Sequence, residues 1–199
     1  GASSGNTATI VSAMQKGGLN LVQESYKFYT EGAGKNYTSS VPGMHDSKPF
    51  HIGECPWNVI SSDASFATIA SADTAVVVFS RNGGEGFDLS NGASDVGYDS
   101  GLINCDDALS IEDGSLTGNN YLELNKEERS ILKGLKDWKA SNSDRKVVVL
   151  LNSSNAMQLD FLKNTDFDID ACIWIGATGQ SGINAIGSIL SGKTNPSGR

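Results

Sequence analysis

Three short apolar runs constrain the fold of this 199-residue sequence more than any other feature. They occupy residues 75–79, 147–151 and 171–175, and no charged or hydroxyl-bearing side chain interrupts them. Uninterrupted runs of this length are typical of strands buried on both faces, as in parallel sheets covered by helices. Each run is far shorter than the ~20 apolar residues that cross a bilayer. The runs predict buried strands, the first of them central in its sheet, and no membrane span.

Segments with helical spacing alternate with these runs. Before the first run, helices are predicted from Thr7 to Gly17, from Asn20 with Gln23 completing a capping box, and over residues 63–70. The second of these would carry its apolar residues on one stripe.

The most regular helical pattern precedes the second run. Asn125 is suited to be its N-cap and Glu128 stands at its third position, with apolar residues following at spacings of three and four. Further helical segments are predicted around residues 157–162 and 180–190. Alternating strands and helices predict one α/β domain over residues 1–199, a three-layer α/β/α sandwich with a mostly parallel central sheet.

Two segments lack periodicity and are predicted as loops, at residues 35–57 and 81–121. In folds of this class, ligands meet the loops that leave the carboxyl ends of the strands. Function is therefore expected in residues 80–88, 152–155 and 176–182. Long irregular segments within a compact domain are usually functional or disordered.

The charge balance excludes two classes of partner. Fifteen basic and 23 acidic residues give a net charge of −8. Such a surface repels polyphosphate and anionic lipid, so neither nucleic acid nor a membrane is an expected partner.

Cysteine and histidine are too few and too scattered for the usual metal sites. Cys55, Cys105 and Cys172 lie far apart, and only His45 and His51 accompany them. They form no disulfide framework or zinc-ligand spacing, so a metal site would need carboxylates, and no cofactor is expected. The unpaired cysteines and the lack of a recognisable signal peptide lean toward a cytoplasmic location.

Two glycine motifs resemble phosphate-binding loops. Residues 187–194 read GSILSGKT, but a phosphate loop must follow a strand and open a helix, whereas this motif begins inside a predicted helix. Residues 176–182 do leave a strand and open a helix, yet no acidic residue follows about 20 positions later, as dinucleotide binding requires. A tight turn with a close approach of helix to sheet is the favoured interpretation of the second motif. A nucleotide-binding domain is the least favoured function.

The first strand leads directly into a glycine-flanked carboxylate. Arg81 is followed by Gly84-Glu85-Gly86 and then by Asp88. A carboxylate on such a loop could reach a ligand at the edge of the sheet, or could simply be a solvated turn residue.

The pattern as a whole resembles a known family. The matching segments are residues 72–88, 122–129, 146–151, 174–182 and 195–199. Together they look like the C-terminal α/β-sandwich domain of glycoside hydrolase family 3, which contains β-glucosidases, β-xylosidases and β-N-acetylglucosaminidases. The resemblance covers essentially the whole chain.

The resemblance implies a two-domain retaining enzyme. A separate (β/α)8 barrel would carry an aspartate nucleophile, and this domain would supply Glu85 as the general acid/base, with no cofactor. Arg81 and Asp88 would organise the loop or lie near the substrate, while Glu54 is the rival carboxylate for the acid/base role. Leu89 stands where the family usually has arginine.

The expected function follows from that resemblance. The chain is expected to be a fragment of a longer β-glycosidase, with β-glucosidase activity favoured, acting with its barrel on an oligosaccharide or β-glycoside. The isolated chain is expected to fold without hydrolysing glycosides. A non-catalytic module that shapes the cleft or holds carbohydrate is the alternative.

Overall fold

The computed structural model describes residues 8–39, 52–82, 121–196 and 198. Among the candidate site residues, Arg81 and Glu54 fall within these ranges. Glu85 and Asp88 lie outside them.

Three parallel strands form the sheet, in the order β1-β2-β3. They are β1 (Thr74–Arg81), β2 (Lys146–Ser153) and β3 (Ala171–Trp174). Each strand contains all or most of one of the three apolar runs. The parallel pairing is continuous: β1 pairs with β2 along its whole length, and β2 pairs with all of β3. The predicted strands and their parallel arrangement are confirmed.

The order of the strands differs from the prediction in one respect. Within the described residues β2 is the middle strand, and β1 pairs with β2 alone. Val147, Val149 and Leu150 of β2 are fully buried, whereas residues 75–78 of β1 are only half-buried. An apolar, β-branched run reveals that a strand is covered on its faces, but it does not reveal which neighbours pair with its edges.

Seven α-helices and two 3-10 turns occupy the described residues. The α-helices are α1 (Ile10–Lys16), α2 (Gln23–Thr30), α3 (Trp57–Ser62), α4 (Phe66–Ile69), α5 (Lys126–Ala140), α6 (Gly179–Gly182) and α7 (Asn184–Leu190). The 3-10 turns are Ala33–Asn36 and Asp160–Lys163.

The long helix α5 begins as predicted. Asn125 is its N-cap, its side chain accepts a hydrogen bond from the Glu128 backbone N–H, and the Glu128 side chain accepts one from the Asn125 N–H. This reciprocal pair satisfies two donors that the first turn of a helix otherwise leaves unpaired.

Several helix boundaries differ from the prediction. Helix α2 begins three residues later than Asn20, and its N-cap, Val22, makes no side-chain capping bond, so the predicted capping box is wrong. The Gln23 side chain instead donates to the Leu21 carbonyl oxygen. Helix α3 begins at Trp57, the last residue of the predicted loop, and the helix predicted over residues 63–70 is confined to α4. The predicted last helix is interrupted at Ile183 into α6 and α7.

The core lies on both faces of the sheet. On one face, Phe79, Val149 and Leu151 pack with Leu132 of α5. On the other face, Leu150 packs with apolar residues of the two terminal helices, among them Ile10 of α1 and Ile183, Ile186 and Leu190 at and within α7. Helices therefore cover both faces of a parallel sheet, which confirms the three-layer α/β/α sandwich.

Helices α1 and α7 make an unusually close contact. A Cβ atom on Gly187 would overlap the carbonyl group of Ala13, and one on Gly17 would overlap the carbonyl group of Gly187. The Lys193 ammonium donates to the Gly17 carbonyl oxygen at 2.7 Å. The glycine and lysine of the GSILSGKT motif thus serve helix packing, which agrees with the rejection of a phosphate loop. No helix within the described residues is both long and apolar enough to span a membrane.

Candidate functional site

The three strands and one helix converge at the carboxyl edge of the sheet. β1, β2 and β3 end there at Arg81, Ser153 and Trp174, and α5 begins there, because Glu128 in its first turn contacts Arg81. The carboxyl edge is where α/β folds of this type place their ligands.

Arg81 lies buried at this edge and uses every hydrogen-bond donor it has. Its Nη1 and Nη2 atoms donate to the two carboxylate oxygens of Glu128 at 2.7 and 2.6 Å. Nε donates to the Tyr121 carbonyl oxygen at 2.6 Å and Nη2 to that of Glu123 at 2.5 Å, while Nη1 also donates to the Ser80 carbonyl oxygen at 2.9 Å. A guanidinium group has five N–H donors, so these five bonds occupy them all.

Glu128 combines two functions in one carboxylate. It accepts the bidentate pair from Arg81, and its Oε2 atom also accepts from the Asn125 backbone N–H at 2.8 Å. Its side chain is 1% exposed, and that of Arg81 is fully buried. A buried ion pair of this kind persists only when good geometry and further hydrogen bonds offset the loss of water.

Tyr121 links the two ends of the segment that separates β1 from α5. Its hydroxyl accepts a hydrogen bond from the Asn82 backbone N–H at 2.9 Å. Its ring centroid lies 5.6 Å from the guanidinium carbon of Arg81, within cation–π range. The residue at which the chain leaves the sheet, Asn82, is therefore in direct contact with Tyr121, which precedes α5.

Glu54 is half-buried and shares the electrostatic surroundings of this cluster. Burial raises the pKa of its carboxyl from the ordinary 4.5 to about 7. A hydrogen bond from the Cys55 backbone N–H lowers that pKa, the Glu128 and Glu127 carboxylates raise it, and Arg81 lowers it. A carboxyl group that titrates near neutral pH can donate and accept a proton in catalysis.

The two cysteines in the described ranges are free thiols without the character of a nucleophile. Burial, with a smaller contribution from the Glu54 charge, raises the pKa of the Cys55 thiol to about 11. Burial also raises the pKa of Cys172. Thiols are reactive as thiolates, so both groups are inert near neutral pH. Within the same ranges, no three His, Cys, Asp or Glu side chains group together as a metal site requires.

The end of β3 presents an exposed aromatic ring. Trp174 is 62% exposed, and its indole N–H is fixed by donation to the Ser153 carbonyl oxygen at 2.7 Å. The chain then turns through Gly176 and Gly179, whose φ angles of 58° and 62° favour glycine. Gly176 and Gly179 thus form a turn, as predicted. The predicted close approach of helix to sheet is wrong, because a Cβ atom on either glycine would meet nothing within 4 Å.

Of the four candidate residues, the structure describes Arg81 and Glu54, and the Arg81 charge lies close enough to Glu54 to lower its pKa. Glu128 and Tyr121 join Arg81 through direct hydrogen bonds. Sequence reasoning recognised Glu128 only as a helix-capping residue and did not single out Tyr121. The capping pattern could have suggested a buried carboxylate at position 128, but no pattern connects it to an arginine 47 residues away.

Comparison with known proteins decides the family. The sequence model described as "Glycosyl hydrolase family 3 C-terminal domain" matches residues 3–199. The chain belongs to this family. Beta-glucosidase A of Butyrivibrio fibrisolvens is 26% identical over 183 residues, an alignment that covers 91% of this chain and 20% of that protein.

A solved structure of the family shares the fold of this domain. Beta-glucosidase 3B from Thermotoga neapolitana, determined in complex with glucose, superposes with a TM-score of 0.66 and 22% identity over 98% of this chain. The superposition covers 23% of that protein. The chain therefore spans about a fifth of the length of the relatives it matches.

Proposed function

We propose that this family 3 domain works as part of a retaining β-glucosidase that hydrolyses terminal β-linked sugars of oligosaccharides and other β-glycosides. A (β/α)8 barrel of the same protein supplies the aspartate nucleophile, and this domain supplies the general acid/base. The observation that carries the proposal is the family membership over nearly the whole chain, together with relatives named beta-glucosidases.

The chemistry needs two carboxyl groups about 5 Å apart. One attacks the anomeric carbon, and the other protonates the leaving oxygen and later removes a proton from the attacking water. When the two groups come from different domains, the cleft between those domains excludes water from both. Desolvation raises the pKa of the acid and keeps it protonated until it is needed.

Glu85 is the proposed acid/base. It follows Arg81 by four positions, and Arg81 marks the carboxyl end of β1, where this fold class places ligands. Arg81 itself does not contact the sugar in this proposal, because all five of its donors are engaged by protein oxygens.

Glu54 is the second candidate for the same role. Its pKa, which burial and in smaller part the Glu128 charge raise to about 7, favours it. Its Oε1 atom, however, already accepts from the Cys55 N–H at 2.9 Å, and this bond belongs to the turn that precedes α3. A structural role explains these contacts without any contact to substrate.

Substitution in the full-length protein separates the two glutamates. We expect Glu85→Ala to lower kcat by about 10²–10⁴-fold for a β-glucoside with a poor, alkyl leaving group, because general acid catalysis contributes that much. The loss for a dinitrophenyl leaving group, which needs little protonation, is expected to be much smaller in the first step. Added azide is expected to yield β-glucosyl azide from this variant, as the retaining mechanism requires.

Glu54→Gln is the matched control, since it removes the rival carboxyl and keeps its shape. We expect it to leave the dependence on the leaving group unchanged and to form no azide product. If Glu54→Gln shows both signatures and Glu85→Ala shows neither, the roles of the two residues are reversed. If neither variant shows them, the domain is a non-catalytic module that shapes or binds within the cleft.

A further inference from the structure

The contacts of Arg81 join the two ends of one segment. Residues 82–125 separate β1 from the start of α5. On the departing side stand Arg81 and Asn82, and on the returning side stand Tyr121 and Glu123. Arg81 donates to the carbonyl oxygens of both returning residues, and the Asn82 N–H donates to the Tyr121 hydroxyl.

The joint is rigid because its central group is buried and fully bonded. The planar guanidinium binds both oxygens of Glu128, a geometry that fixes direction as well as distance. Glu128 is fixed in turn by the capping box with Asn125 at the start of α5. The end of β1 is therefore held in place by its bonds to the first turn of helix α5.

We propose that Arg81 is a positioning residue for the reaction, and that Glu128 and Tyr121 complete an end-joining clamp that determines where the segment after β1 begins. The inference rests on the proposed function, because its catalytic consequence runs through Glu85. Four residues of chain reach at most about 14 Å. A shift in the direction in which the chain leaves Arg81 therefore displaces a carboxyl group that must be placed accurately.

Three variants of the full-length protein weaken the clamp to different degrees. Arg81→Lys keeps the charge but cannot serve five acceptors in a plane. Glu128→Gln keeps the shape but removes the charge that pairs with Arg81. Tyr121→Phe is the mildest, because the ring remains beside the guanidinium and only the hydroxyl that accepts from Asn82 is lost.

Arg145→Lys is the matched control at the opposite edge of the sheet, just before β2. Arg145 also donates to backbone carbonyl oxygens, those of Trp138 and Ala70, at 2.7 and 2.8 Å. Its guanidinium carbon lies 4.6 Å from the Trp138 ring centroid. The substitution therefore removes similar interactions from a place that does not join the ends of the segment.

The first measurement is backbone hydrogen exchange in peptides that contain Asn82 or residues 121–125. We expect exchange there to accelerate at least tenfold in Arg81→Lys and Tyr121→Phe, and to remain unchanged in Arg145→Lys. The clamp is overturned if exchange stays unchanged in Tyr121→Phe and also in Arg81→Lys or Glu128→Gln, whichever of these folds. This result does not depend on the role of Glu85.

The second measurement is the ratio of kcat for poor and good leaving groups, with KM measured separately. We expect Arg81→Lys to lower kcat for the alkyl glucoside at least tenfold more than for the dinitrophenyl glucoside, with little change in KM. Arg145→Lys is expected to leave that ratio unchanged. A ratio that stays at the wild-type value in Arg81→Lys and Tyr121→Phe, while Glu85→Ala changes it, overturns the positioning role. A ratio that Glu85→Ala also leaves unchanged refutes the acid/base role of Glu85 instead.

Discussion

Arg81 and Glu128 illustrate what a single pair of residues contributes to this fold. Moving two charges out of water is costly, and the bidentate geometry and the added backbone acceptors offset that cost. Removing one partner of such a pair leaves a buried charge alone and costs about 3–5 kcal/mol. The sequence predicted the neighbourhood of Arg81 and the capping role of Glu128, but the pairing depends on a tertiary contact that no local spacing encodes.

Glu54 gives the first stability prediction at this scale. Its pKa is about 7 in the folded chain and near the ordinary 4.5 in the unfolded chain, so the folded state holds the proton more tightly. The free energy of unfolding of the 199-residue chain should therefore fall as the pH rises from about 4.5 to about 7, by at most about 3 kcal/mol. Below this window both states are protonated and the effect vanishes.

Urea unfolding at pH 5 and pH 8 tests this expectation. Glu54→Gln retains an oxygen that can accept from the Cys55 N–H but cannot ionise, so the variant should lose that part of the decline between the two pH values. Glu31→Gln, which alters an exposed carboxyl, should decline as the wild type does. Equal declines in wild type and Glu54→Gln would show that Glu54 keeps an ordinary pKa.

At the scale of elements, periodic patterns predicted what local physics controls. The strands and α5 follow apolar runs and a capping box that are visible in the sequence. The middle position of β2 depends on its pairing with both β1 and β3. The late start of α2 and the break at Ile183 are helix boundaries, which local preferences determine only weakly.

The contact between α1 and α7 supports a prediction about glycine. Gly187→Ala would force Ala13 and α1 away from α7 and should lower the free energy of unfolding by about 1–3 kcal/mol, the usual cost of overpacking. Gly182→Ala is the control, since its Cβ would meet only the Thr178 Cβ, at an ordinary 3.6 Å. That exposed helical position should tolerate alanine or gain up to about 1 kcal/mol. Denaturant titration measures both, and equal stabilities of the two variants would contradict the packing role.

At the scale of the whole molecule, helices on both faces support a parallel sheet whose carboxyl edge carries the candidate site. The family and the three-layer fold could be predicted from the sequence, because both depend on patterns that extend along the whole chain. Arg81 and Glu54 could be singled out from the sequence as candidates, whereas the bonds of Glu128 and Tyr121 to the Arg81 region required the structure. The catalytic function needs a second carboxyl group, which in the proposed enzyme lies on the barrel.

The isolated chain should therefore fold without catalysis. We expect the purified 199-residue chain to show a cooperative unfolding transition and no release of nitrophenol from an aryl β-glucoside above the uncatalysed rate. The full-length protein, assayed at the same molar concentration, is the positive control. Release that rises in proportion to the isolated chain and disappears in its Glu85→Ala variant would contradict the two-domain mechanism.

The packing of α1 on α7 has a consequence for how such a domain can be combined with others. The first and last helices of the described residues touch, and Lys193 near the end bonds to Gly17 near the beginning. Helices α1 and α7 thus lie together on one side of the sandwich, as the terminal elements of many domains do. Chain segments that continue from α1 and α7 can therefore lie on that side without crossing the sheet.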